Sequence, residues 1–379
     1  MEPVRVGIIG VGNVLDQYLA RASMHDEISV DFLADLNVEA AGKQAAQYDI
    51  PKYGSVEELL SMPEIEMVAN FTPPAFHASV TAQILQAGKH VFTEKPFATS
   101  LTEAEELIDL AREKGLKISS APATLLGGGM QTSRKLVDDG FIGRPLSAVA
   151  TFTCRGFETW HPNIDPFYSP GGGPLLDLGP YLVSNLLNIF GPAKRVSGVV
   201  SRSSETRPRY KDGKRVGEIQ VQVPTHISGN IEFKSGAVAT LITSWDIWNA
   251  SLPFMEIYGT QGVLSTPHTA FYAGEPTLRR GDPRDLTNDW YPPHGGDWRT
   301  MPLTHRNDVG RAIGLAELAH SIRHSEDSRL DMDFAYHSLE ILLALEKSSA
   351  SGSYVEIEST CRRPAALPPA GADDPIRFD

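Results

Sequence analysis

The amino-acid sequence predicts an α/β fold in two domains: an N-terminal doubly wound parallel sheet, then an α+β domain with a large, mostly antiparallel open sheet. From Val4 to Ser120, short apolar runs alternate with amphipathic helical stretches, the pattern of βαβ units. After about residue 122, longer strand-like runs separated by turns replace this alternation. The 379 residues also exceed the roughly 250–300 at which a single hydrophobic core stops growing.

The first domain is expected over residues 1–122. Its predicted strands are five apolar runs, namely VRVGIIG, SVDFLAD, MVANFTP, KHVFTEKP and LKISSAP. The segments between them are amphipathic, as Ser100 to Lys114 illustrates, and predict helices. In such a sheet, the residues that follow the carboxyl ends of the strands converge on a ligand-binding edge.

The second domain is expected over residues 123–361, with a tail at 362–379 that is Pro- and Ala-rich and therefore extended or disordered. Strands are predicted for the runs SAVATFTC, THISGNIEF, AVATLITSWDIW and FMEIYGTQGVLST. Helices are predicted at 127–140, 177–190, 307–322 and 333–350, and long loops at 201–224 and 274–304.

The charge balance disfavours two classes of partner. The 34 lysines and arginines against 47 aspartates and glutamates give a net charge of −13, which repels phosphate backbones and anionic lipid headgroups. The two cysteines, Cys154 and Cys361, indicate neither a disulfide framework nor a zinc site. No apolar run approaches the ~18–20 residues of a membrane span. The sequence thus predicts a cytoplasmic protein with no metal, nucleic-acid or membrane partner.

A glycine turn follows the first strand and precedes a helix, in the stretch Gly10-Val11-Gly12-Asn13-Val14. In such a turn, backbone N–H groups can donate hydrogen bonds to a pyrophosphate, and the helix dipole stabilises its negative charge, as in Rossmann dinucleotide-binding domains. The third fingerprint position, which is Gly or Ala in the full motif, is Leu15. A plain Gly-x-Gly turn is therefore the alternative.

Asp35 ends the second predicted strand about 20 residues further on. A carboxylate at this place accepts hydrogen bonds from the adenosine ribose hydroxyls and repels a 2′-phosphate, so NAD is favoured over NADP. The alternative is that Asp35 caps the next helix.

Two further strand ends supply candidate residues for the cofactor. Thr72-Pro73-Pro74 and His77 follow the third strand, and Glu94-Lys95-Pro96 follows the fourth. Convergence of strand ends places Lys95 where a nicotinamide ring would lie. The alternative for Lys95 is a surface lysine that forms a salt bridge with Glu94.

Together these motifs resemble the Gfo/Idh/MocA family, which includes glucose-fructose oxidoreductase and inositol dehydrogenase. The matching landmarks span nearly the whole chain and are Gly10-Val-Gly12-Asn13, Thr72-Pro73-Pro74-x-x-His77, Glu94-Lys95-Pro96, Gly172-Gly173-Pro174-x-x-Asp177 and AYHSLE near 335–340. The resemblance implies NAD(P)-linked oxidation or reduction of sugars and cyclitols, and an open sheet used in oligomer contacts, hence a homodimer or homotetramer. It also implies a reaction site lined by the lysine of EKP and an Asp-x-x-x-His pair. Here the histidine position holds Tyr181.

Asp177 and Tyr181 are four residues apart on a predicted helix and therefore share a face, with Pro180 expected in its first turn. A tyrosine has an ordinary pKa of ~10, but a cation about 4 Å away contributes roughly 4 kcal/mol, or about three pKa units. Lys95 and the oxidised nicotinamide would thus make Tyr181 a workable base. The alternatives are a packed aromatic for Tyr181 and a helix-capping charge for Asp177.

Two features precede this helix. The run Gly171-Gly172-Gly173 either lets a ligand approach the backbone closely or forms a tight turn. Trp160 and His161 are candidates for a wall against the sugar ring and for a second acid/base, although lone histidines are more often structural.

The predicted function is NAD-dependent hydride transfer involving a secondary alcohol of a sugar, glycoside or cyclitol. One alternative is a redox-neutral enzyme that cleaves or epimerises glycosides through transient oxidation by bound NAD. Another is a non-enzymatic dinucleotide-binding regulator. The predicted catalytic residues are Lys95, Asp177 and Tyr181, and these with Trp160 and His161 are the predicted substrate-binding residues. The predicted cofactor-binding residues are Gly10, Gly12, Asn13, Val14, Asp35, Thr72, Pro73, Pro74, His77, Glu94 and Lys95.

Overall fold

The computed structural model describes residues 2–161, 163–248, 250–281 and 297–378. The chain forms two compact units. The first comprises Met1–Leu126, Val309–Leu339 and Phe378, and the second comprises Gly127–Asp308 and Glu340–Arg377.

The first unit is built on a six-stranded sheet with the order β3-β2-β1-β4-β5-β6, in which every pairing is parallel. Such a sheet needs a crossover between strands, which the helices provide. The strands are β1 Val4–Ile9, β2 Ile28–Ala34, β3 Lys52–Gly54, β4 Met67–Asn70, β5 His90–Thr93 and β6 Ile118–Ser120. The helices between them are α1 Leu15–Leu19, α2 Val38–Gln47, α3 Val56–Ser61, α4 His77–Gln86 and α5 Leu101–Lys114.

A later segment of the chain completes the core of this unit. Ala312, Leu315, Leu318 and Ala319 are buried in one cluster with the apolar residues of β1. They belong to or adjoin helix α9, Ile313–His324, which lies within the range Val309–Leu339. The helix predicted at 307–322 therefore exists, but it packs in the first unit.

The second unit contains a nine-stranded sheet with the order β16-β15-β14-β13-β7-β12-β11-β8-β17. Among the described strands of this sheet, only the β7–β12 pairing is parallel, which confirms the predicted mostly antiparallel sheet. The strands are β7 Pro145–Thr153, β8 Ala193–Ser201, β11 His226–Phe233, β12 Val238–Ser244, β13 Met255–Gly259, β14 Gly262–Ser265, β15 Thr277–Arg280, β16 Arg299–Thr300 and β17 Val355–Glu356.

Helix α8, Gly173–Phe190, is the longest helix that lies wholly in the second unit. It is buried along nearly its whole length and ends before Gly191, whose φ of 78° suits glycine. Because α8 begins at Gly173, Pro180 lies inside it and not in its first turn, so that prediction was wrong. Proline has no N–H to donate to the carbonyl of Leu176. The other helices of this part of the chain are α6 Gly128–Asp138, α7 Asp165–Tyr168 and α10 Met332–Ser351.

Two of the three predicted irregular stretches contain strands. The loop predicted at 201–224 contains a separate hairpin of strands β9, Thr206–Lys211, and β10, Lys214–Gln220. The loop predicted at 274–304 contains β15 and β16, and its part from 282 to 296 lies outside the described residues. The tail is extended but packed, since buried Leu367 donates its N–H to Gln131 and its carbonyl accepts from His305.

Candidate functional site

The carboxyl ends of four parallel strands lie level with one another in the first unit. Ile9 pairs with Ala34 and with Asn70, and Asn70 pairs with Thr93. The residues that follow these positions therefore form a row along one edge of the sheet. That row is Gly10, Asp35, Phe71 and Glu94.

The two glycines of the first turn serve different purposes. Gly10 has a φ of 99°, and a Cβ there would lie 2.7 Å from the carbonyl carbon and oxygen of Phe71. Gly12 is exposed, and a Cβ there would meet nothing within 4 Å. Gly10 thus permits close packing of the protein, whereas Gly12 leaves open space of the kind a pyrophosphate needs. Asn13 is exposed beside it and Val14 is half-buried.

Asp35 is hydrogen-bonded to the glycine turn that follows β1. One carboxylate oxygen accepts from the backbone N–H of Val11 and the other from that of Asn37, each at 2.9 Å. The side chain of Asn37 accepts from Ala40 and caps helix α2, so the alternative of Asp35 as the cap is excluded. A carboxylate oxygen has a second lone pair, which leaves Asp35 able to accept from ribose hydroxyls.

His77 joins the loops that follow β4 and β5. Its ring nitrogens lie 2.7 Å from the carbonyl oxygens of Thr72 and Pro96. The ring is only 1% exposed, and burial lowers its pKa. The neutral ring donates to one of these carbonyls and lies against the other, so His77 packs between the two loops, while Pro73 and Pro74 are exposed.

Glu94 is buried and anchors the residue beside it. One oxygen accepts from the hydroxyl of Tyr18 at 2.7 Å and from Arg311 at 3.3 Å, and the other accepts from the backbone N–H of Lys95 at 3.0 Å. Burial alone would raise the pKa of Glu94, but the charges of Arg311 and Lys95 and the Tyr18 hydrogen bond hold it below its ordinary value. Glu94 therefore fixes the backbone of half-buried Lys95.

Sequence reasoning missed Tyr18 and Arg311. The Tyr18 ring stacks on Phe71 with centroids 4.2 Å apart, and Arg311 lies over the Tyr18 ring. Arg311 is 217 residues from Glu94 along the chain, so no local pattern links the two.

In the second unit, α8 carries half-buried Asp177 and, one turn later, Tyr181, which is 6% exposed. The glycine run that precedes them has a structural explanation. Gly171 and Gly173 each have a φ of 86°, and a Cβ on Gly172 would lie 2.4 Å from the carbonyl oxygen of Pro166. The tight-turn alternative thus accounts for the run without a ligand.

His161 lies close enough to Asp177 to be affected by its charge. Burial lowers the pKa of His161, and the opposing effect of the Asp177 charge is smaller. The His161 Nδ1 accepts from the backbone N–H of Asn163 at 3.2 Å. In the neutral ring Nε2 therefore carries the proton and acts as a donor. Trp160 is 65% exposed, with its ring centroid 5.4 Å from that of His161.

The ring of Tyr181 adjoins a group of aromatic side chains that sequence reasoning missed. Its centroid is 6.1 Å from that of Phe152, which is 5.0 Å from His268. Buried Asn185 donates to the carbonyls of both Tyr181, at 2.8 Å, and Thr269, at 3.3 Å. The loop that carries His268 is thereby fixed to α8.

The structure thus groups the predicted residues in two sets. The first unit carries the cofactor-binding candidates and Lys95, and the second carries Trp160, His161, Asp177 and Tyr181. Within the described ranges, no group of three or more His, Cys, Asp or Glu residues is arranged to hold a metal ion. No helix in the part of the chain that the structure covers has both the length and the apolar character needed to cross a membrane.

Comparison with known families gives two matches. Residues 4–121 match an oxidoreductase family with an NAD-binding Rossmann fold, and residues 130–265 match the GFO/IDH/MocA C-terminal domain.

Individual curated relatives are identical to this chain at less than a third of the matched positions. The chain is 26% identical over 361 residues to a 1,5-anhydro-D-fructose reductase of Ensifer adhaerens, with 94% of this chain and 99% of that protein covered. It is 32% identical over 216 residues to a dTDP-3,4-didehydro-2,6-dideoxy-alpha-D-glucose 3-reductase of Streptomyces violaceoruber, with 54% of this chain and 61% of that protein covered. An uncharacterised oxidoreductase of Schizosaccharomyces pombe is 28% identical, with 55% of this chain and 57% of that protein covered. The chain thus spans about three fifths of the length of several of its first curated relatives.

Among solved structures, levoglucosan dehydrogenase in complex with NADH and L-sorbose superposes with a TM-score of 0.80 at 21% identity, covering 95% of this chain and 100% of that chain. An aldose-aldose oxidoreductase of Caulobacter crescentus gives 0.78 at 20% identity, covering 93% and 99%. These likenesses confirm the predicted fold class, and the match over residues 4–121 confirms the predicted NAD-binding Rossmann domain.

Proposed function

Because the chain belongs to the Gfo/Idh/MocA oxidoreductase family, we propose that it transfers hydride between NAD and a secondary alcohol of a sugar, glycoside or cyclitol. The observation that carries this proposal is the row of strand ends in the first unit. It sets Gly12, Asp35 and Lys95 along the edge of a parallel sheet where dinucleotides bind.

The site residues fit NAD on two counts. Gly12 leaves open space at the turn, and Asp35 presents a carboxylate that favours ribose hydroxyls over a 2′-phosphate. NAD, when bound, supplies the hydride acceptor or donor. The chain's own residues then have to bind and orient the alcohol and move its hydroxyl proton.

Lys95 is the proposed electrophile, which polarises the substrate oxygen through its positive charge. Its backbone is fixed by Glu94, and Glu94 is in turn fixed by Tyr18 and Arg311. Tyr18, Glu94 and Arg311 are therefore positioning residues for Lys95.

Tyr181 is the proposed acid/base, and Asp177 accepts a hydrogen bond from a substrate hydroxyl. The tautomer of His161 supports assigning the acid/base role to Tyr181 and not to His161. As long as Nδ1 accepts from Asn163, the neutral ring offers a donor at Nε2 and no lone pair there to take a proton. His161 is thus proposed as a hydrogen-bond donor to the substrate, beside Trp160 as a wall against its C–H face.

The proposed ligands follow from the same residues. Relatives named for 1,5-anhydro-D-fructose and for a deoxyglucose nucleotide favour a carbohydrate substrate. We infer a homodimer or homotetramer, because the large sheet of the second unit exposes apolar residues such as Val199 and Val238, which are 68% and 42% exposed.

The test is a panel of candidate substrates, in which the formation or loss of NADH is measured as absorbance at 340 nm. The purified protein is given NADH with 1,5-anhydro-D-fructose, and NAD with levoglucosan, myo-inositol and D-glucose. At least one of these combinations of cofactor and substrate is expected to react. Lys95→Ala should lower kcat on the order of 10²–10³-fold, the loss that follows removal of a preorganised electrostatic group. Lys43→Ala, which removes an exposed lysine paired with Glu39, is the matched control.

Other outcomes of the panel distinguish the remaining functions. Cleavage or epimerisation of a glycoside without net NADH would replace the proposal with redox-neutral catalysis through transient oxidation. Binding of NAD with no conversion of any substrate would favour a dinucleotide-binding regulator. Turnover that Lys95→Ala leaves unchanged would remove Lys95 from the mechanism.

A further inference from the structure

We propose that Phe152, Phe254, His268 and Phe271 form an aglycone subsite, which binds an aromatic, uncharged substituent of the substrate. The proposal rests on the function inferred above, because it starts from Tyr181 as the acid/base. It adds the chemical class of the group attached to the reacting sugar.

Three phenyl rings, of Phe152, Phe254 and Phe271, pack around the imidazole of His268. Its centroid lies 3.7 Å from that of Phe254, 4.5 Å from that of Phe271 and 5.0 Å from that of Phe152. The Phe254 ring is inclined by only 33°, whereas the Phe152 ring meets the imidazole edge-on at 86°. The edge-on pair of Phe152 and His268 has one of the preferred geometries for aromatic rings.

Exposure increases from Tyr181 outward along this group. Tyr181 is buried, Phe152 and His268 are half-buried, and Phe254 and Phe271 are 41% and 61% exposed. The aglycone subsite therefore connects the proposed acid/base with the surface of the second unit. A ligand whose sugar ring reaches Tyr181 would place its outer substituent against Phe254 and Phe271.

Backbone contacts hold the aglycone subsite in place. The amide of Asn185 bridges the carbonyls of Tyr181 and Thr269, which fixes the loop of His268 beside α8. The carbonyl of Phe254 accepts from the N–H of Thr151 at 2.8 Å, next to Phe152 on β7. The backbone that carries Phe152, Phe254 and His268 is thus held in place.

His268 supplies a single polar group. Its Nδ1 accepts from the backbone N–H of Ala270 at 3.1 Å, so the neutral ring carries its proton on Nε2. No acceptor for that N–H is found among the described residues. Burial lowers the pKa of His268 to about 4, so the ring is uncharged at neutral pH.

This chemistry selects the ligand. A second sugar unit could stack its C–H face on one ring, but its several hydroxyls would find few hydrogen-bond partners among three phenyl rings. A phosphate would lack a cation within the group. An aromatic aglycone instead covers the exposed rings, and the linking oxygen can accept from Nε2–H of His268.

The experiment is isothermal titration of the NAD-loaded protein with phenyl β-D-glucopyranoside, methyl β-D-glucopyranoside and phenol. We expect the phenyl glucoside to bind at least tenfold more tightly than the methyl glucoside. Phe271→Ala should reduce this preference to within about twofold, and His268→Phe, which keeps a ring but loses the donor, should reduce it about threefold. Tyr354→Ala removes a ring of similar exposure (59%) elsewhere in the second unit and should leave the preference unchanged.

Every outcome bears on the subsite. Equal affinity for the two glucosides, or a preference that persists in Phe271→Ala, would overturn it. If neither glucoside binds, phenol binding that is lost in Phe271→Ala still supports the subsite, and no phenol binding refutes it. Because titration needs no turnover, a preference for phenyl glucoside would support the subsite even if the substrate panel showed no hydride transfer.

Discussion

At the scale of single residues, Gly10 and Gly12 are expected to respond differently to the same substitution. A Cβ on Gly12 meets no protein atom within 4 Å, so Gly12→Ala should change the free energy of unfolding by less than about 0.5 kcal/mol. If the space belongs to a pyrophosphate, NAD binding should weaken at least tenfold, a change that isothermal titration measures directly.

Gly10→Ala is the contrasting variant. Its Cβ would collide with the Phe71 carbonyl in a backbone conformation that favours glycine, so it should destabilise the protein by about 1–3 kcal/mol even without NAD. Unchanged NAD affinity in Gly12→Ala would contradict the proposed cofactor position.

Two substitutions to phenylalanine distinguish the proposed role of Tyr181 from that of His161. Tyr181→Phe removes the proposed acid/base and should lower kcat by about 10²–10⁴-fold. His161→Phe keeps a ring but loses a neutral hydrogen bond, so it should raise KM by roughly tenfold or less, with little effect on kcat. Steady-state kinetics and melting temperatures for both variants provide the check. If the effects on kcat were reversed, His161 would be the acid/base.

At the scale of elements, the start of α8 depends on Gly172. A Cβ there would lie 2.4 Å from the Pro166 carbonyl oxygen and 2.5 Å from that of Phe167, and backbone atoms cannot rotate away. Gly172→Ala should therefore lower the free energy of unfolding of the ligand-free protein by about 1–3 kcal/mol, as measured by urea denaturation. If Gly172→Ala kept normal stability but weakened substrate binding, the glycine run would instead be assigned to contact with the ligand.

Much of the fold was predictable from the sequence because local periodicity determines local elements. The five predicted strands of the first domain correspond to β1, β2, β4, β5 and β6, and only short β3 was missed. The β9–β10 hairpin was missed because its charged residues show no apolar alternation. It is held instead by strand pairing and by ion pairs such as that of Arg209 with Asp165.

The candidate site was predictable only where its proposed residues lie in local motifs. Asp35 and Lys95 follow strands, and Asp177 and Tyr181 follow helical spacing. Arg311 and His268 were not found, because their roles arise from contacts between distant parts of the chain. Sequence spacing does not encode such contacts.

At the scale of the whole molecule, buried and half-buried histidines make stability depend on pH. Burial lowers the pKa of five of them, namely His77, His90, His161, His268 and His305. Their unfolded forms take up protons first as pH falls, so their contribution is intact above about pH 6.5 and is lost below it. Burial raises the pKa of Glu27, Glu317 and Glu346, which act in the opposite direction.

His268 allows this effect to be isolated. With a folded pKa of about 4, it should reduce stability progressively from pH 6.5 to about 4. The slope should not exceed the roughly 1.4 kcal/mol per pH unit that the uptake of one proton sets, and partial exposure of the ring limits the total change. Unfolding of wild type and His268→Phe is compared from pH 7.5 to 4.5. A stability difference that does not vary with pH would contradict the assignment.

The return of the segment Val309–Leu339 to the first unit has a consequence for biosynthesis. The apolar residues of β1 are made first, but Ala312, Leu315, Leu318 and Ala319, which complete their cluster, leave the ribosome some 300 residues later. At translation rates of about 5–20 residues per second, the nascent sheet stays partly uncovered for at least about 15 seconds. The protein is therefore expected to need chaperone protection while it is being made, and a fragment that stops at residue 126 should aggregate.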